Sequence, residues 1–61
     1  MEIYHDSYGG QACIRISKNG GARLTVHAGG KTIHAKDYAT YRGAKIAMGR
    51  MSDTWRRVGT A

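Results

Sequence analysis

Apolar and polar residues alternate through three short stretches in the first half of the chain. In 11–18, Ala12, Ile14 and Ile16 share one face, while Cys13, Arg15 and Ser17 share the other. In 22–28, Leu24, Val26 and Ala28 oppose Arg23, Thr25 and His27. In 31–36, Ile33 and Ala35 oppose Thr32, His34 and Lys36. A period of two marks a strand with one buried face. Gly9-Gly10, Asn19-Gly20-Gly21 and Gly29-Gly30 punctuate these stretches. They recur at about ten residues, the rhythm of short strands joined by tight turns.

Paired residues must point to the same face, so the turns can be tested against the pattern. A two-residue Gly29-Gly30 turn sets Val26 on Ile33, Leu24 on Ala35, Thr25 on His34 and Arg23 on Lys36, and every pair agrees. A two-residue Asn19-Gly20 turn would set Ile16 against Arg23, which fails. A three-residue Asn19-Gly20-Gly21 loop sets Ile16 on Leu24, Ile14 on Val26 and Arg15 on Thr25, which agrees. The expected open face then carries three rows: Cys13–His27–Thr32, Arg15–Thr25–His34 and Ser17–Arg23–Lys36. None of these residues is acidic.

After Lys36 the period changes. Ala44, Ala47, Met48, Met51, Trp55 and Val58 recur at helical spacing, and the charged residues fall largely elsewhere on the wheel. Thr40 or Asp37 is the expected N-cap, and Gly59 the stop. The pattern predicts an α+β fold: a three-stranded antiparallel β-meander over 11–36 with one C-terminal helix over 40–58 on one face. It becomes four-stranded if 1–10 forms a strand rather than an arm. Ile14, Ile16, Leu24, Val26 and Ile33 would lie under the helix, and Tyr38 would plug the corner before it. Tyr4 and Tyr8 would be available to a partner.

Composition adds direction to this picture. The chain has 61 residues, room for a single domain over 1–61 with a modest core. Cys13 is the lone cysteine, which suits a reducing compartment better than a disulfide scaffold. No apolar run reaches the length of a membrane span, so an intracellular protein that makes no use of a membrane is expected, in a bacterial cytoplasm or a host's. Ten Lys+Arg against four Asp+Glu give a net charge of +6. That excess favours polyanionic partners, nucleic acid first and an acidic protein surface second.

The candidate contact residues follow from the face map: Arg15, Lys18, Arg23, Thr25, His27, Lys31, His34 and Lys36. Arg and Lys would meet phosphates, while Arg, Thr and His would meet base edges. Cys13, His27 and His34 lack the spacing of a zinc site, so no metal or cofactor is expected. Glu2, Asp6, Asp37 and Asp53 are scattered, and an exposed sheet offers no pocket for a Cys13–His27 pair, so no enzyme is expected.

The stretch Lys36-Asp37-Tyr38-Ala39-Thr40-Tyr41-Arg42-Gly43-Ala44-Lys45-Ile46-Ala47 is similar in rhythm to the aromatic, cap and alanine-rich helix of AP2 and integrase arm-type DNA-binding domains. The order of three strands followed by a helix resembles them over 11–51. The resemblance implies a sheet entering the major groove, with Arg15, Arg23 and Lys36 meeting DNA. Small size and basic character also resemble short proteins of phages and mobile elements, including anti-CRISPR inhibitors. Together these give the expected function, a non-enzymatic nucleic-acid-binding module for duplex DNA. The alternative is a phage-type inhibitor that docks on an acidic or nucleic-acid-binding protein. A homodimer through an open sheet edge is a third option.

Overall fold

A computed structural model describes residues 1–60. Strands β1 (Glu2–His5), β2 (Gln11–Ile16), β3 (Ala22–Ala28) and β4 (Lys31–Tyr38) precede helix α1 (Tyr41–Met51), and strand β5 (Arg56–Thr60) follows it. All five strands form one open antiparallel sheet in the order β4-β3-β2-β1-β5. The fold class is α+β, as the alternation predicts, with two more strands than the meander of 11–36. Residues 1–10 contribute one of them. The other comes from the end of the segment expected to be helical.

The helix stops at Met51 instead of running from 40 to 58. Thr40 is its N-cap, with its Oγ1 accepting the Gly43 amide at 3.0 Å. At the other end the Trp55 indole donates to the Met48 carbonyl at 2.7 Å, satisfying an acceptor that the helix leaves open. Trp55 therefore turns the chain back onto the sheet rather than extending the helical stripe.

One face of the sheet carries the core: Tyr4, Ala12, Ile14, Ala22, Leu24 and Val26 are buried against Ala44 and Met48. Ile14 and Leu24 are its largest fully buried side chains, and Tyr38, Tyr41, Ala47 and Trp55 pack around it. Two expected core members are absent from it: Ile16 is 57% exposed and Ile33 is 62% exposed. Tyr4, expected to be open to a partner, is only 5% exposed, whereas Tyr8 is 80% exposed.

The β2–β3 turn differs from expectation, while the Gly29-Gly30 turn is as expected and the β3–β4 register departs only beyond it. The β2–β3 pairing sets Ile14 on Leu24, Ala12 on Val26 and Arg15 on Arg23. That is a slide of two residues, which preserves every face. The Ser17 amide donates to the Gly21 carbonyl, so the loop is Lys18-Asn19-Gly20, with Gly20 at φ +88°. The β3–β4 pairing begins as expected at Ala28–Lys31 and His27–Thr32, then shifts at Ile33. Beyond that bulge Val26 faces His34, Leu24 faces Lys36 and Arg23 faces Asp37. A single extra residue exchanges the two faces of everything after it.

Beneath the helix, Glu2 organises a polar cluster at the β1 side. Its Oε1 accepts the Tyr4 and Tyr41 hydroxyls, each at 2.6 Å, and the Arg57 guanidinium lies 3.8 Å from Oε2. Lys45 donates to the Tyr4 hydroxyl at 3.0 Å and lies over its ring. The cluster joins β1, α1 and β5 where the apolar core ends.

Candidate nucleic-acid interface

The helix covers one side of the sheet, and the opposite side faces solvent. Three rows of cross-strand neighbours define this open face. The first runs Arg56–His5–Gln11–His27–Thr32 across all five strands. The second runs Gly59–Ile3–Cys13–Thr25–Ala35, and the third Arg15–Arg23–Asp37 on β2, β3 and β4.

Four of the expected contact residues lie together here: Arg15, Arg23, Thr25 and His27. Lys18 sits in the β2–β3 loop and is exposed. Lys31 opens β4 opposite Ala28 and so belongs to the helix side. His34 and Lys36 are also carried to the helix side by the bulge at Ile33. There the His34 ring meets the Tyr38 hydroxyl at 3.0 Å, and the Lys36 ammonium lies 5.5 Å from the centre of the Tyr38 ring. These two residues are removed from the expected rows.

The same shift brings Asp37 onto the open face, which therefore does carry a carboxylate. Its Oδ1 accepts from the Arg23 guanidinium at 3.1 Å. Arg15 stands directly opposite Arg23, with roughly 5 Å between Cα atoms for such a pair. Like charges so placed repel. A shallow groove opens beside them, lined by Ser17, Asn19 and Gly21 of the hairpin and by Tyr38 and Ala39. Gly21 keeps it open and tight at once: a Cβ there would lie 3.0 Å from the Tyr38 carbonyl oxygen.

Along the first row, His27 Nδ1 and the Thr32 hydroxyl share a hydrogen bond of 3.0 Å. Gln11 reaches toward the Cys13 sulfur at 3.6 Å. His5 and Arg56 are exposed at the β1–β5 end of the same row. Sequence reasoning missed both. His5 follows once 1–10 is read as a strand, and Arg56 is hidden because 40–58 is expected to be helix, with Arg56 on its outer face.

Among the described residues of its strands, the face thus offers three guanidiniums, two imidazoles, hydroxyls and an amide against one side-chain carboxylate. Among these residues it has no aromatic side chain of Tyr or Trp, because Tyr4, Tyr38, Tyr41 and Trp55 pack around the core beneath the helix. Among the described residues, no cluster of three or more His, Cys, Asp or Glu is arranged to hold a metal ion. Also among the described residues, no helix is long and apolar enough to cross a membrane.

The chain matches no family model, no curated protein and no solved structure with which it was compared.

Proposed function

We propose that this chain is a small, non-enzymatic nucleic-acid-binding module that sets its open sheet face against the phosphate backbone of duplex DNA inside the cell. The observation that carries the reading is the grouping of Arg15, Arg23 and Arg56 on one uncovered face with, among the described residues, a single side-chain carboxylate. Guanidiniums bind phosphate oxygens through paired, charge-assisted hydrogen bonds. Thr25, His27, His5 and Gln11 between them add further hydrogen-bonding groups.

The width of the sheet refines the mode of contact. Five strands at a spacing of about 4.8 Å span roughly 19 Å. A major groove about 12 Å wide admits a two-stranded ribbon. The face is therefore suited to lie across the phosphate ridges rather than enter the groove whole, as the three-strand resemblance implies. Contacts of that kind position a protein on DNA without reading its sequence.

Fluorescence anisotropy of a labelled 20-base-pair duplex, titrated at 20–300 mM NaCl, tests the reading. Arg15, Arg56 and Lys18 are free to neutralise phosphates and Arg23 is largely neutralised by Asp37. The expected slope of log K against log salt is therefore about −3. Exchanging Arg15 and Arg23 for Glu should abolish binding with the fold intact. Absence of binding at 20 mM NaCl, or binding indifferent to salt, refutes it.

A second reading is a phage-type, anti-CRISPR-like inhibitor that docks on an acidic or nucleic-acid-binding protein. It is favoured by exposed β-branched residues at register shifts on both sheet edges, Ile33 on β4 and Val58 on β5. Pull-down from nuclease-treated host lysate separates the two: one protein partner retained after nuclease supports inhibition, and loss of all retained material supports nucleic acid.

A further inference from the structure

The Arg15–Arg23–Asp37 row has a charge order that a pure phosphate-binding face would not need. Arg15 makes no side-chain hydrogen bond or ion pair among the described residues. Arg23, beside it, is engaged by Asp37. The Arg23 and Asp37 side chains are 52% and 77% exposed, so water screens their attraction and the pair adds little to stability. Stability therefore does not explain a lone carboxylate on an otherwise cationic face. Its position does have an effect on binding. Its Oδ1 holds Nη1 of the Arg23 guanidinium, next to the groove lined by Ser17, Asn19 and Gly21, so an incoming phosphate oxygen meets a nitrogen that already has an anionic partner.

Resting on the nucleic-acid reading above, we infer that Asp37 is a specificity-determining residue: an internal competitor for one backbone phosphate at Arg23. Arg15 meets the first phosphate unopposed. A second phosphate takes Arg23 Nη1 by displacing the Asp37 carboxylate, which swings into solvent from an exposed edge strand. The exchange swaps one anion for another on the same guanidinium, so it releases no net counterion from the DNA–protein pair. The result is a face held below its full affinity for any polyanion. A ligand that offers two phosphates at the spacing of Arg15 and Arg23 is favoured over a diffuse negative charge.

The test compares the full chain with Asp37→Asn and, as a control for net charge alone, Asp53→Asn in the connection between α1 and β5. Duplex binding is measured from 50 mM to 300 mM NaCl, with thermal unfolding as a check on folding. For D37N the salt slope should steepen by about 0.9, and affinity at 50 mM NaCl should rise about tenfold, as one more phosphate is neutralised. D53N should leave the slope unchanged. Equal slopes for the unaltered chain and D37N overturn the role of Asp37 while leaving DNA binding standing. An equal rise for D37N and D53N also overturns it, because net charge then explains the gain. Failure of the unaltered chain and of D37N to bind overturns the nucleic-acid reading itself, and this inference with it.

Discussion

Replacing Glu2 should measurably weaken this fold. Its carboxylate accepts two tyrosine hydroxyls at 2.6 Å and joins the first strand to the helix. A hydrogen bond to a charged group contributes roughly 1.5–3 kcal/mol, against roughly 1 kcal/mol for a neutral one. Glu2→Gln keeps an acceptor oxygen but removes the charge, so it should destabilise by about 1–2 kcal/mol. Glu2→Ala removes the acceptor altogether and strands the donor of the buried Tyr4 hydroxyl, for a loss of about 3 kcal/mol. A chain of this length is expected to have only about 3–9 kcal/mol in total. With about 4–8 °C lost per kcal/mol, thermal unfolding followed by circular dichroism should shift down by about 5–15 °C for E2Q, and E2A should be partly unfolded at 37 °C. The dependence on pH has a definite sign. The Tyr4 and Tyr41 hydroxyls, helped by Arg57 and Lys45, hold the Glu2 carboxyl below its ordinary 4.5. The unfolded chain therefore takes up this proton first, and the contribution is complete above about pH 4.5 and lost as pH falls through the folded value. The gap between the unaltered chain and E2Q should stay constant at neutral pH and shrink as pH falls below about 4.5. An E2Q midpoint within about 2 °C of the unaltered chain at pH 7 would refute the reasoning.

Further expectations follow from the same contacts. The Glu2 hydrogen bond raises the Tyr41 hydroxyl far above its ordinary 10.0, so this contribution is complete below pH 10 and lost as pH rises beyond it. In an absorbance titration at 295 nm, Tyr41→Phe should remove a late, unfolding-linked step. Gly21 and Gly49 should respond oppositely to alanine. A Cβ at Gly21 meets the Tyr38 carbonyl at 3.0 Å and should destabilise by about 1–3 kcal/mol, whereas Gly49 has open space and should gain about 1 kcal/mol, both read from urea midpoints. Trp55→Phe leaves the Met48 carbonyl without its indole donor and should lower stability by about 1 kcal/mol, seen as a smaller urea midpoint at unchanged slope.

Much of this architecture is legible in the alternation of 11–28. The faces of β2 and β3 are right even though the expected pairing is displaced by two residues, because parity survives an even slide. Parity is also what makes the β4 reading fail. Ile33 is apolar and sits in phase with Ala35, so nothing local announces that one residue is extruded there. Yet His34, Lys36 and Tyr38 repeat at period two, and their mutual contacts with the Tyr38 ring hold them on the helix side. β5 is obscured for a different reason. Trp55 and Val58 continue the Ala44–Met48–Met51 spacing, and only the polar Ser52-Asp53 step interrupts it. The decisive partner is β1, more than fifty residues away, which no local period reports. Of the candidate site, the arginines of β2 and β3 could be read early. Asp37 and Arg56 depended on the bulge and on the long-range strand.

The placement of β5 beside β1 also has a consequence for how the chain reaches its native state. Glu2 faces Thr60, and Ile3 faces Gly59, so the last ladder closes a loop that includes nearly every described residue. Closing so long a loop is entropically unfavourable until the intervening hairpins and the helix have shortened it. The β2–β3 and β3–β4 hairpins, each joined by a short turn, should form first, with the β1–β5 ladder as the final docking event. Before that event β1 is an unpaired edge carrying Ile3 and Tyr4, a template to which another chain's strand can add. The late intermediate, not the finished sheet, is therefore where this small protein is most exposed to strand exchange between copies. Pairing of β5 along β1 is what covers that edge.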